Sequence, residues 1–498
     1  MHQYPLRQWL VWLFAGIALV NAITMLVAVP LSAPNEDSAW YYMTVQFLID
    51  GTYIAPEYLN PGLPSQYFPL LGYSAVLWIA KVVATATSVP WAIVVKFIQA
   101  MLFVAAGMLC GALASLIGKS KTLAPLTAGA FYLFFPFLYY ASLVCVECLA
   151  MFLVLLELYF LAKGFCQRRG TSIVIGFLLG SYLVVARPVF APVLLLQLVI
   201  FVCLAWRWPG NRRRLIAASV LAAVSVPVIN MGVTSYVYGG DRQSTIGRHL
   251  YNRVIGIDNS WPTKYEALSW EYLLSQTKAA GGPGWWDIAK FLAKDKGMTE
   301  AQIDSLLLDL SIEGIKYRPV YYGVNTLRVA WAILVNDETF EGVFPDYNGY
   351  WRRFEILGHI AQKRPLALEL EQQRTFLEIP INRRLFEQYG LWTAAFGGKN
   401  GTKLLLGLYS IFAIWSTIAF VRMAKTGSWT ADDCAKVMVI LVPGMLCLAT
   451  ALAEYANPRY RYPFLPIILA VCVVCCRSIL LNIGLVWESW QQNHPARV

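Results

Sequence analysis

The sequence predicts an all-α polytopic membrane protein. Three observations carry that expectation. Of the 498 residues, 58% are hydrophobic and 14% charged, a balance unsuited to a soluble chain of this length. Several windows hold about 18 or more nearly uncharged residues, enough to cross a bilayer as a helix. Basic clusters then punctuate the apolar stretches at intervals, as cytoplasmic loops do. The formal charge of +11 is therefore read as topology marking, and no nucleic-acid partner is expected.

Taken in order, Trp9 to Ala33 reads as a retained anchor, too long for the core of a signal peptide. Arg7 places its start inside, so the first outer loop runs over 31–90. Within that loop, "YFPLLGYSAVLWIAKVVATAT" is short and aromatic at its start, which suits a helix lying on the outer leaflet. The next stretch, 91–117, crosses inward to Lys119 and Lys121. About 122–143 goes out and 146–164 returns to Arg168 and Arg169. The segment 172–206 is a hairpin broken at Arg187-Pro188, because the residue before proline avoids the α region. "RWPGNRRR" follows inside, and 214–236 goes out.

The stretch 237–402 is mixed and polar and forms an extracytoplasmic domain. Inside it, "GMTEAQIDSLLLDLSIEGIKYRP" has helical periodicity with Thr299 placed to cap it. Spans near 403–424, 435–454 and 463–483 close the chain. The total is about ten crossings with both termini inside. The organisation is an N-terminal transmembrane module at 1–236, the loop domain at 237–402, and C-terminal helices at 403–498.

Ten cysteines are present, none in 31–70 or 237–402, and the chain has four histidines. The cysteines read as small apolar residues of the spans, without zinc-ligand partners. Ionisable residues at a membrane boundary are costly and tend to be functional. Four such features fall on the expected outer side: Glu36-Asp37, Glu147, Arg187, and Arg459 with Arg461. Each has a plainer reading. Asp37 suits the start of a helix, Glu147 can open a span, and paired arginines snorkel at interfaces. Glu157 lies in mid-span and is expected to pair internally or face a cavity. The acid pair stands in a region poor in cations, since no Lys or Arg occurs between Arg7 and Lys81.

A family resemblance joins these features. "DSAWYY…FLIDGTY" followed by "YFPLLGYSAVL" resembles the first outer loop of the GT-C membrane glycosyltransferases. The nearest branch is that of the protein-O-mannosyltransferases and aminoarabinose transferases, with their bacterial sugar-transferase relatives. An acid opening a helix with a tyrosine four residues on matches Asp37 and Tyr41. "VCVECLAMFLVLLELYFLAK" resembles the second acidic position, at Glu147. "GFLLGSYLVVARPVFAPVLLL" resembles the Arg-Pro segment. "RYRYPFLP" resembles the late Arg-Tyr motif, and "LLLDLSIEGIKYRPVYYGVNTLRVAW" a helix of a late outer loop.

The resemblance implies a GT-C fold with outer-surface juxtamembrane helices and a large extracytoplasmic loop domain. It implies a sugar donor carried on a polyprenyl or dolichyl phosphate, and a single inverting displacement. Asp37 is the expected catalytic base, with Glu36 secondary and Glu147 the second acid. Arg459, Arg461 and Arg187 are expected to bind the lipid phosphate, with Tyr41 and Tyr460 also in the substrate site. No cofactor is expected. No divalent metal is expected either, because Glu147 lacks a second acid two residues away. The acceptor is a glycan, lipid or protein hydroxyl, such as O-antigen, lipid A or another envelope polymer. The expected location is a bacterial inner membrane, with the active site facing the periplasm or exterior. The competing reading is a transporter or flippase of a lipid-linked or anionic substrate.

Overall fold

The computed structural model describes residues 5–28, 41, 44, 45, 48, 49, 71–142, 144–205, 212–237, 246–258, 260, 285–335, 384, 398–426, 430–453 and 458–493. Glu36 and Asp37 lie outside the described residues, as does much of the loop domain. Among the described residues there are helices and no strands. Six helices are long and apolar enough to cross a membrane. They are α1 (Pro5–Ala28), α3 (Trp91–Ile117), α6 (Glu147–Gln167), α9 (Arg212–Val237), α14 (Gly398–Thr426) and α15 (Ala431–Ala453). Among the described residues the chain is all-helical, with the long apolar helices of a multi-pass membrane protein.

The other expected crossings correspond to shorter apolar helices. The stretch 122–143 is divided into α4 (Leu123–Leu133) and α5 (Phe135–Ala141). Pro136 has no N–H to continue the first helix, but is tolerated in the opening turn of the second. The break expected at Arg187-Pro188 is present. It separates α7 (Gly170–Ala186) from α8 (Ala191–Ala205), with a short 3-10 turn at Pro188–Phe190 between them. Arg187 itself is extended, with φ −152° and ψ 97°. The last helix, α16 (Leu465–Asn493), begins apolar.

The helix α2 (Tyr73–Thr87) has 15 residues, roughly 22 Å of helix, which is short of the ~30 Å hydrocarbon core. It buries Tyr73, Leu77, Ala80 and Ala84 and exposes Trp78, Ile79 and Val82. That is the pattern of an interfacial helix.

Between apolar helices, close backbone approach replaces the hydrophobic drive. Two G-x-x-x-G patterns supply it, Gly107 to Gly111 on α3 and Gly176 to Gly180 on α7. A Cβ at Gly111 would stand 2.3 Å from the carbonyl oxygen of Ala124 on α4. A Cβ at Gly180 would stand 2.6 Å from Oε1 of Glu157. The second glycine therefore makes the room in which α6 hides its mid-span acid. Glu157 is buried, as is Gln197 on α8. Pro227 interrupts the hydrogen bonding of α9. There the Val226 N–H donates to Oγ of Ser181 at 3.1 Å, so a neighbouring helix satisfies part of the broken turn.

A second, smaller core lies in the loop domain. It is built by α10 (Ile246–Tyr251) and the π-turn Asn252–Ile257 after it, with α11 (Trp285–Asp295) and α12 (Glu300–Tyr317). The expected cap of α12 is present: Thr299 and Gln302 form a reciprocal capping box. Two buried ion pairs brace this core, Arg248 with Asp304 and Arg253 with Asp258. Asn325 on α13 (Pro319–Val335) donates to Asp258 at 3.1 Å.

The same module holds the C-terminal end of α15. Arg253 Nε donates to the carbonyl of Ala451 at 3.2 Å, and Tyr322 Oη to that of Leu452 at 2.6 Å. Those carbonyls lack partners within their own helix, and a cation there also meets the negative end of the macrodipole. Burial raises the Tyr322 phenol above its ordinary pKa, which keeps it a donor. On its uncovered side, α13 shows Val320, Val324, Leu327 and Trp331, an apolar stripe suited to a membrane surface.

Candidate active site

The site is assembled from chain breaks that fall at one end of the bundle. The helix α6 begins at Glu147, whose carboxylate sits in the first turn, where the macrodipole favours negative charge. The helix α7 stops at Arg187, because Pro188 follows. The two ends meet: Arg187 Nη2 lies 3.3 Å from Glu147 Oε1, with the side chains 9% and 1% exposed. A third break, the 3-10 turn Pro458–Arg461, follows α15 by only a few residues. It carries Tyr460, and the Arg187 guanidinium lies 4.9 Å from the centre of that ring, within cation–π range. Acid, arginine and tyrosine thus come from three separate parts of the sequence.

Arg461 is fully buried beside this group. Its Nη1 donates to the carbonyl of Leu334 at 3.2 Å, at the end of α13. Its guanidinium stands 5.6 Å from the Tyr462 ring, and Tyr462 packs on Tyr140 of α5 with centroids 3.7 Å apart. Arg461 therefore ties the loop domain to the bundle beside the pair.

The first outer loop enters through tyrosines. Tyr41 is buried and meets Tyr73 edge-on, with centroids 4.9 Å apart. Gln99 of α3 donates to the Tyr73 hydroxyl at 2.9 Å. Burial holds the Tyr73 phenol well above its ordinary pKa, with Cys145, Cys148, Tyr41 and Glu147 pushing the same way. A phenol so placed stays protonated and within electrostatic reach of Glu147. Tyr73 thus joins Tyr41, four residues after Asp37 in the sequence, to Gln99 of α3.

No protein-family model matches the chain, and no curated protein matches it in sequence. Among solved structures it is similar to the archaeal oligosaccharyltransferase AglB from Archaeoglobus fulgidus, in complex with an inhibitory peptide and a dolichol-phosphate. The TM-score is 0.46 at 13% identity, covering 99% of this chain and 53% of that one. It is also similar to the Archaeoglobus fulgidus oligosaccharyltransferase tethered with an acceptor peptide containing the NVT sequon. There the TM-score is 0.44 at 14% identity, covering 99% and 52%. The chain spans about half the length of these structures.

Of the residues singled out in the sequence, Arg187 meets both Glu147 and Tyr460. Arg461 follows Tyr460 in the same turn, and Tyr41 packs on Tyr73. The backbone of Arg459 lies in the 3-10 turn, but its side chain is outside the described residues, as are Glu36 and Asp37. Among the described residues, no group of three His, Cys, Asp or Glu is placed to hold a metal ion.

Tyr73, Gln99, Tyr140 and Tyr462 were not singled out as site residues. Tyr73 stands in the quoted "YFPLLGYSAVL", but its pairing spans 32 residues in one direction and 26 in the other. The last turn of α1 does meet a cation, since Lys96 of α3 donates to the carbonyl of Val27 at 2.6 Å; Glu36 and Asp37 lie outside the described residues. A gap between basic residues along the chain does not keep a folded lysine away.

Proposed function

We propose that this protein is a membrane glycosyltransferase that moves a sugar from a polyprenyl-phosphate donor to an acceptor hydroxyl, with inversion. The observation that carries the reading is the state of Arg187. Glu147 holds it through Nη2, yet among the described residues nothing accepts a hydrogen bond from its buried Nη1. Buried polar groups are nearly always satisfied, so a planar cation with a spare donor suits an anion such as a lipid phosphate. As the glycosidic bond breaks, charge grows on the leaving phosphate. A preorganised guanidinium there stabilises the transition state more than the ground state.

Glu147 is engaged by Arg187, so its role in this reading is to hold Arg187 in place. The base is then Asp37, with Glu36 secondary. Tyr41, four residues after Asp37, packs on Tyr73, which supports a place for this loop near the site. A positioned carboxylate that takes the acceptor's proton typically contributes about 10²–10⁴-fold. The phosphate is held by arginines in this scheme, and no obligatory metal takes part. The basic loops favour a site on the extracytoplasmic side of a bacterial inner membrane, and an envelope glycan, lipid A or protein as acceptor.

The test uses the full chain in detergent with a synthetic polyprenyl-phosphate sugar and an envelope-glycan extract. Release of free polyprenyl phosphate, coupled to sugar incorporation, is the expected result. Movement of intact donor across a liposome bilayer without phosphate release would instead establish the flippase. Orientation has its own measurement. In intact cells, an impermeant maleimide is expected to label Glu300→Cys and to leave Arg212→Cys unlabelled. Labelling of the latter would put the site on the wrong face for an extracytoplasmic acceptor.

A further inference from the structure

A second site lies at the opposite end of the bundle. The helix α15 has 23 residues, about 34 Å, and the Tyr460 turn follows its last residue. Around its first turn, α14, α15 and α16 line a half-open cavity of about 430 Å³, within the range of ligand pockets. Its wall is apolar over Ile411, Ile414, Trp415 and Ile418, and its mouth carries Arg422, Lys436 and Asp433.

The mouth is net positive. Asp433 caps α15 by accepting from the Thr430 N–H at 3.0 Å and the Thr430 hydroxyl at 2.6 Å. It is paired with Lys436 at 3.8 Å and also feels Lys119. Among the described residues no carboxylate pairs with Arg422. The depth is informative too. From Arg422 back to Ile411 is about 16 Å along the helix, half the ~30 Å hydrocarbon core and so the depth of one leaflet.

We infer that this cavity is a binding site for one anionic glycerophospholipid. An acyl chain fills the apolar wall, and the headgroup phosphate meets Arg422 with Lys436 beside it. Basic pockets between transmembrane helices on the cytoplasmic side take anionic headgroups in this way. Arg422 offers a fork of donors to the phosphate. The lipid would brace three helices where they otherwise line a void. The inference stands on the cavity and its charge alone and does not depend on the glycosyltransferase reading.

The test is native mass spectrometry of the full chain in neutral detergent. Phosphatidylglycerol and phosphatidylcholine of identical acyl chains are offered in turn. The chain is expected to retain phosphatidylglycerol roughly tenfold more tightly. Arg422→Ala should lose most of that preference and Arg422→Lys should keep part of it. Ser478→Phe, which fills the cavity from α16, should lose both lipids. Melting temperatures confirm that each variant is folded. A variant that fails is replaced by Ile414→Phe, which fills the cavity from α14. Equal retention of the two lipids by the unaltered chain would overturn the inference. So would undiminished phosphatidylglycerol binding in the Arg422→Ala and filled variants.

Discussion

Arg187→Ala is expected to cost about 3–5 kcal/mol of stability, because it strands the Glu147 carboxylate in a buried site. Thermal unfolding in detergent, followed by tryptophan fluorescence, reads this directly. The same variant should also lose binding of polyprenyl phosphate. Stability and binding can be separated by removing both charges. Arg187→Met with Glu147→Leu leaves no buried ion behind, and such replacements are often neutral or stabilising. The double variant should therefore melt near the unaltered chain and still fail to bind the lipid phosphate. Normal binding in the double variant would leave the pair a structural brace and remove the central support for a phosphate site.

Asp37→Asn should lower turnover by about 10²-fold or more while donor binding persists. The substitution keeps the size, and asparagine remains an acceptable helix cap. A capping role would survive it, whereas a proton-accepting role would not, because the amide is far less basic. Glu36→Gln should be milder. Normal turnover in Asp37→Asn with a dead Glu36→Gln would move the base by one residue. Normal turnover in both would remove the base from this loop and turn attention to transport. The Lys96 ammonium near Val27 adds a control: Lys96→Met, assayed beside them, reports how far that cation sets the basicity of the loop.

The local breaks were legible in the sequence because proline and capping residues act on their neighbours. Arg187-Pro188 and Thr299 both stand where the chain changes direction, for reasons contained within a few residues. The division at Pro136 was equally local, but an apolar run of spanning length concealed it. The contacts between elements were less legible. Arg459 and Arg461 are two residues apart, and nothing in "RYRYP" says that Arg461 turns toward the carbonyl of Leu334. The stretch 237–402 reads as mixed and polar, yet Arg253 and Asp258 are buried against one another. A buried pair and two wet charges are the same letters. The glycines at 107, 111, 176 and 180 carry information only once their partners are known.

Arg253 and Tyr322 grip the last carbonyls of α15, and this decides how the protein can be divided. A recombinant fragment holding only 237–402 would deprive Arg253 of its acceptor and bare the stripe from Val320 to Trp331. It would aggregate rather than serve as a soluble antigen. A truncated bundle would fare no better, with Ala451 and Leu452 left uncapped a few residues before the Tyr460 turn. The loop domain and the membrane helices are therefore one unit of inheritance. Exchange of the outer segment between related chains would have to carry the end of α15 with it.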